Sequence, residues 1–218
     1  MTSRSDIIDG SQAIGRKYGL IYTRKCGWVD LGHANPDGPD GAKNLWDKIL
    51  NEKDEGSGKS EFFRITYKQM MGNKYIKMGM QKKYDIKKGI QVNDKKSVAL
   101  SIFLDVSNAF ESMQSGWPFR WVTNSGYSAE DLVSDLIGFY RAVNPSMPYV
   151  QIFQPVSKDL ALQIWDRYGP VGNNKNYSAT PFLYPVPPAQ GGPMCGILPP
   201  ELNTVQPAKP GILFMEAK

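Results

Sequence analysis

The chain has 218 residues, 41% hydrophobic, 11% aromatic and 22% charged, a composition that can close one sizeable core and excludes wholesale disorder. A net charge of +5 means only that polyanionic surroundings would not repel the protein. A single histidine and two cysteines exclude His-rich zinc sites and the two-histidine helix of the common metalloproteases.

The first ten residues carry Arg4, Asp6 and Asp9 and no apolar core segment, so no secretory signal is expected. Residues 5–17 predict a short, weak helix interrupted by Gly10 and Gly15. Gly19 to Thr23 and Cys26 to His33 predict strands joined by a bend near Arg24 and Lys25. The turn-rich segment Asn35 to Gly41 leads into an amphipathic helix to about Glu52, with Ala42, Leu45, Trp46 and Ile49 on one face. After a Gly/Ser break at 54–58, two aromatic and β-branched runs, 61–67 and 74–80, flank Gly72-Asn73 and predict a β-hairpin or meander.

The apolar positions Val98, Ile102, Val106, Ala109, Phe110 and Met113 predict a long buried helix from Asp94 to about Gln114, stopped by Gly116-Trp-Pro118. The best apolar run, Ser97 to Val106, is broken by Ser101 and Asp105 and is shorter than the roughly 18–20 residues that a bilayer span requires. A further helix is predicted from Tyr127 to about Val143, ended by Asn144-Pro145. Tyr149 to Phe153 predicts a short strand, and Ser157 to Tyr168 a helix capped by Ser157 and closed at Gly169. Residues 172–218, rich in Pro, Gly and Asn, predict an extended wrap ordered at Phe182-Leu-Tyr and little elsewhere. The mixed order of elements points to an α+β fold, with residues 1–218 forming one domain.

His33 is the first candidate for chemistry, because imidazole titrates near neutrality and the preceding strand delivers it into an accessible loop. A hydrogen-bonded structural histidine is the other interpretation. Cys26 is a more reactive atom in a less favourable place. Along one straight strand, residues 26 and 33 lie about 23 Å apart at roughly 3.3 Å per step, with side chains on opposite faces. Cys195 sits in an irregular stretch with no local base.

Tyr127-Ser-Ala-Glu-Asp-Leu-Val-Ser134 forms the second cluster. Ser128 with Asp131 three residues on resembles a capping box, which would suffice to explain both residues. The same placement sets Ser128, Glu130 and Asp131 where the N–H groups of a helix start can stabilise a developing anion. Lys68, Lys74, Lys77, Lys82, Lys83, Lys87 and Lys88, interleaved with tyrosines, are either the solvated edge of a hairpin or a docking surface for an anionic polymer.

Tyr22-Thr-Arg-Lys-Cys-Gly-Trp-Val-Asp-Leu-Gly-His33 resembles the signature of an uncharacterised family of bacterial envelope proteins. Tyr127-Ser-Ala-Glu-Asp-Leu-Val-Ser-Asp-Leu-Ile-Gly138 resembles that family's second signature. The order of a histidine on a strand followed by a nucleophile-type helix start is similar to the permuted, NlpC-type branch of the papain-like cell-wall peptidases, although Ala129 stands where those enzymes carry cysteine. The resemblance implies a papain-like domain with an antiparallel sheet packed on helices. It also implies similarity to the peptidoglycan-directed hydrolase effectors of the type VI secretion system.

On that basis His33 is expected as general base and Glu130 or Asp131 as orienting or acidic groups, with Ser128 or Cys26 as nucleophile. No cofactor is expected, although His33 with two carboxylates could hold a divalent cation. Peptidoglycan, a cognate immunity protein and a secretion carrier are the expected partners, and neither nucleic acid nor membrane insertion is expected. The chain is expected to be made in the cytoplasm and to act in the periplasm of a target bacterium. From a different class, a non-catalytic envelope-binding or inhibitory protein would use the lysine-rich hairpin instead.

Overall fold

The elements of the chain follow from a computed structural model, which describes residues 2–37, 40–72, 77–115, 128, 130–171, 181, 183–185 and 197–217. The strands are β1 (Leu20–Thr23), β2 (Gly27–Asp30), β3 (Phe62–Gly72), β4 (Lys77–Lys87) and β5 (Phe214–Glu216). The helices are α1 (Ala42–Leu50), α2 (Val92–Ser115), α3 (Asp131–Val143), α4 (Tyr149–Ile152) and α5 (Lys158–Tyr168). Short 3-10 turns at Arg4–Asp6, Gly10–Gln12 and Pro200–Leu202 complete the set. The result is an α+β fold with two small antiparallel sheets, β1-β2 and β3-β4-β5. Among the described residues, no helix is long and apolar enough to cross a membrane.

The chain divides into two compact units, one of residues 1–36 and 114–203, the other of 37–113 and 204–218. In the first, β1 and β2 form a tight hairpin with Leu20 opposite Asp30 and Thr23 opposite Gly27. Gly27 takes a left-handed φ of +69°, and a Cβ there would meet the Tyr184 carbonyl oxygen at 2.5 Å, so the turn admits only glycine. The closeness is used: Trp28 N–H donates to that carbonyl at 2.9 Å, and Trp28 drives its indole into the core. Its ring packs edge-on against Tyr22 and Trp165 at centroid distances of 5.3 and 5.6 Å, the arrangement that aromatic quadrupoles favour. Ile7, Leu20 and Val156 close the same cluster.

The predicted helix over 5–17 is instead a pair of 3-10 turns. Asp9 accepts from Ser11 N–H at 2.9 Å, a local bond that competes with helix propagation. Tyr149 to Phe153, predicted as a strand, is the short helix α4. Pro148 precedes it and offers its carbonyl to the N–H groups of Gln151 and Ile152 at 3.0 Å, so the aromatic and β-branched composition is overridden by a proline-initiated turn. α5 forms as its sequence predicts, with Ser157 accepting from Leu160 N–H and Gly169 ending it at φ +81°.

In the second unit, β3 and β4 pair along their whole length, Phe62 opposite Lys87 and Gly72 opposite Lys77. Phe63, Ile65 and Tyr67 alternate into the core with Tyr84 and Ile86, as a one-sided sheet requires. Helix α1 buries Ala42, Leu45, Trp46 and Ile49 as its spacing predicts. Helix α2 buries Val98, Ile102 and Val106.

Within the predicted C-terminal wrap, residues 183–185 run beside β2, with Tyr184 bridged to Gly27, in the stretch where order was expected. The departure is 214–216, which return as β5 and place Phe214 opposite Ile86. The expected helix stop at Gly116-Trp-Pro118, the turn at Asn73, and Tyr127, Ala129, Phe182 and Cys195 lie outside the described residues.

Candidate acid–base site

The site grows from the end of β2. Past Asp30 the backbone closes a turn in which Ala34 N–H donates to the Asp30 carbonyl at 2.9 Å. The Asp30 carboxylate accepts from Gly32 N–H at 2.6 Å. This local lock presents His33 outward, with its side chain 41% exposed.

Helix α3 meets this turn along one stripe. Asp131, Ser134, Asp135, Gly138 and Arg141 recur at three- and four-residue spacing and so share a face. Ser134 accepts from Asp30 N–H at 3.0 Å, and the Arg141 guanidinium donates to the Ala34 carbonyl. Gly138 supplies the clearance, because a Cβ there would lie 2.9 Å from the His33 carbonyl oxygen. The helix therefore rests directly on the backbone that carries the histidine.

Two carboxylates of that stripe bracket the ring. His33 Nδ1 lies 3.0 Å from Asp135 Oδ1, and Nε2 lies 3.7 Å from Asp131 Oδ1. The first distance is a hydrogen bond; the second is an ion-pair contact. Burial opposes the charged imidazolium, but the charge of Asp131, the hydrogen bond and charge of Asp135, and the charge of Asp30 outweigh it. The pKa is held well above its ordinary value, which favours the imidazolium.

Behind the ring, Glu130 is 2% exposed. Its Oε1 accepts from the Thr2 hydroxyl at 2.6 Å, while Oε2 is buried without a hydrogen-bond partner among the described residues. Burial raises its pKa, so its proton is held more tightly than that of an ordinary glutamate.

Ser128 is buried, and its N–H donates to Asp131 Oδ2 at 3.1 Å. This is half of the capping box expected from the sequence, although helical geometry begins at Asp131 rather than Tyr127.

Cys26 is not brought to this site. It lies in the hairpin turn, fully buried, with its N–H donating to the Thr23 hydroxyl at 3.0 Å. His33 follows the opposite end of β2, separated by a ladder of about 10 Å. Burial pushes the Cys26 thiol well up, away from the thiolate that nucleophilic attack requires.

Asp135 is the residue that sequence reasoning left without a role. It sits inside the second signature, and its spacing of four from Asp131 was the available signal. Asp30 and Ser134 lie inside the two signatures, but their contacts with the site, like that of Thr2, depend on how distant segments meet. Among the described residues, no group of three or more His, Cys, Asp or Glu side chains is arranged to hold a metal ion.

The lysine-rich hairpin is partly neutralised by its own unit. Lys82 lies 2.9 Å from Asp105 and 3.4 Å from Glu216, and Lys68 lies 3.8 Å from Asp40. Asp85, the one acid in that stretch, is committed to Arg64 and Lys59.

Comparison of the chain with protein-family models, with curated proteins and with solved structures gives no match. The chemistry that this arrangement can perform is proton transfer: an imidazole fixed by one carboxylate and in ion-pair contact with a second, with its ring part-exposed to solvent.

Proposed function

We propose that the chain is a hydrolase of amide bonds in cell-wall peptide, with a papain-like, NlpC-type arrangement and a role as a type VI secretion effector acting on peptidoglycan in the periplasm of a target bacterium. The observation that carries the reading is the meeting of the two signatures: the turn ending in His33 and the start of α3 form one site although about a hundred residues separate them. The acid–base chemistry rests on that geometry. The wall substrate, the secretion route, the immunity protein and the carrier rest on the resemblance of the signatures.

The raised pKa changes the order of roles. His33 enters the reaction as imidazolium and serves first as the acid, while Asp131, facing it, serves as the base. A water bound on the solvent side of the His33–Asp131 pair gives its proton to Asp131 and its oxygen attacks the amide carbon. His33 then gives its proton to the leaving nitrogen as the C–N bond breaks, yielding a carboxylic acid and an amine. Asp135 is the positioning residue, because it fixes the ring through Nδ1. The burial of Ser128 and Cys26 favours water over either side chain as nucleophile.

The test is digestion of purified peptidoglycan with mass analysis of the released fragments. Wild type, Ser128→Ala and Cys26→Ala should release peptides, and His33→Ala and Asp131→Asn should lose activity by at least about a hundredfold, the usual scale for loss of a general acid or base. Absence of cleavage by folded wild-type protein would overturn the hydrolase reading and favour a wall-binding protein. Loss of cleavage in folded Ser128→Ala would move the nucleophile to that hydroxyl.

A further inference from the structure

Glu130 is a buried carboxyl that the proposed proton transfers do not use. It occupies the N-cap position of α3 with helical backbone angles, φ −84° and ψ −17°, and its carbonyl accepts from Ser134 N–H at 2.9 Å. Its side chain makes no capping bond to the helix, although an N-cap side chain ordinarily accepts from the first N–H groups. It is buried instead, 2% exposed, and Oε1 accepts from the Thr2 hydroxyl at 2.6 Å, across 128 positions of sequence. Taking a carboxyl out of water for such a bond is costly, and the residue that follows it is Asp131.

Thr2 is itself placed by elements other than α3. Arg4 makes two bonds of 2.8 Å to the Asp166 carboxylate of α5. Ile7 is fully buried and bridged to Leu20 of β1, whose carbonyl accepts from Ile8 N–H at 3.0 Å. Asp9 accepts from Lys158 N–H, at the start of α5, at 2.9 Å. The segment 2–9 is thus stitched to β1 and α5, and from there it reaches the start of α3.

What this junction holds is the aim of Asp131. Its Oδ2 accepts from Ser128 N–H at 3.1 Å, and its Oδ1 contacts His33 Nε2 at 3.7 Å. Asp131 N–H donates to the Ser128 carbonyl at 3.1 Å. The position of Oδ1 therefore depends on the backbone just before α3, and a side-chain bond that pins Glu130 from outside the helix steadies that backbone.

We propose that Thr2 is a positioning residue of the acid–base site: its hydroxyl, through Glu130, holds the start of α3 so that Asp131 stays in contact with the His33 ring. The effect on cleavage rests on the hydrolase reading, whereas the ring reports the contact without any substrate. The charged groups that act around it are Asp30 at the end of β2, Asp131 and Asp135 on α3, and Glu130 before them. Burial opposes the charged ring, and the charge of Asp131 comes first among the causes that overcome it, so a displaced Asp131 lowers the ring's titration midpoint.

The test is a proton NMR titration of His33 in Thr2→Val and Thr2→Ala, which remove the hydroxyl, and in Thr2→Ser, which keeps it, each with and without Asp131→Asn. Thr2→Val and Thr2→Ala should lower the midpoint by at least about half a pH unit, and Thr2→Ser should leave it at the wild-type value. In the Asp131→Asn background none of the three should move it further, because the effect passes through Asp131. Cleavage of peptidoglycan should fall by about tenfold in Thr2→Val and be restored in Thr2→Ser.

A hydroxyl that only adds stability would change the melting temperature and leave the midpoint in place, which would overturn the proposal. A shift of equal size in the Asp131→Asn background would also overturn it and assign the effect to the charge of Glu130. A midpoint that depends on Thr2 in a protein without cleavage would keep the positioning role and remove the hydrolase reading. Cleavage by wild type with a midpoint indifferent to Thr2 would do the reverse.

Discussion

At the scale of single residues, the pairing of His33 with Asp135 is what turns a lone histidine into a defined acid. Nδ1 is held at 3.0 Å, so Nε2 is the nitrogen left to exchange protons. Because the folded pKa lies well above the ordinary 6.5, the ion pairs of His33 contribute stability that is fully present below the unfolded value and lost as pH rises through the folded one. Activity that uses His33 as an acid follows the same sign: it persists through neutrality and falls on the alkaline side. Asp135→Asn removes one of the charges that raise the pKa, so the alkaline limb of a kcat/KM profile should move to lower pH, with kcat reduced more than KM is changed. A profile that keeps its alkaline midpoint in Asp135→Asn would remove Asp135 from the positioning role. The candidate His33 was visible in the sequence because it is the one histidine, yet the order of its proton transfers was not. That order depends on carboxylates contributed by Asp30, Asp131 and Asp135, which only the folded chain places around the ring.

At the scale of elements, α3 works as a ruler laid across the His33 turn. Its stripe runs from Asp131 through Ser134, Asp135 and Gly138 to Arg141, and each of these residues touches the 30–34 segment or its side chains. Gly138 sets the spacing between helix and turn. Gly138→Ala inserts a methyl group 2.9 Å from the His33 carbonyl oxygen, so either the helix or the turn must move. Cleavage should drop by about tenfold or more, since displacements of this kind at a catalytic pair are costly, while far-ultraviolet circular dichroism stays unchanged. Full activity in Gly138→Ala would show that the close packing of α3 on the turn does not position the pair.

Helical periodicity made α1, α2 and α5 legible, because each is an amphipathic stretch with a clear apolar face. The stripe of α3 was legible only as a capping motif, since its polar residues face a polar turn rather than a core. Two elements were misread for identifiable reasons. Aromatic and β-branched residues in 149–153 suggested a strand where Pro148 initiates a helical turn, and glycines with a local Asp9 bond broke the predicted N-terminal helix into 3-10 turns.

At the scale of the whole molecule, both units are assembled from segments distant in sequence. The first takes Tyr184 to close the β1-β2 hairpin, and the second takes Phe214 to extend the β3-β4 sheet. Such long-range closures carry no periodic signal, so the Pro/Gly-rich composition of 172–218 suggested a wrap and concealed β5. The α+β class itself was legible, because helical and strand periodicities are interspersed along the chain. The net charge of +5 does not say how the individual lysines are used. Two of the hairpin lysines, Lys68 and Lys82, are paired with Asp40, Asp105 and Glu216.

The most direct measurement uses the fact that the chain has a single histidine: a proton NMR titration of the His33 ring in wild type, Asp135→Asn and Asp131→Asn. The carboxylate-clamped site predicts a wild-type midpoint well above 6.5 that falls toward it in both variants. A wild-type midpoint at or below 6.5, unmoved by either substitution, would contradict it.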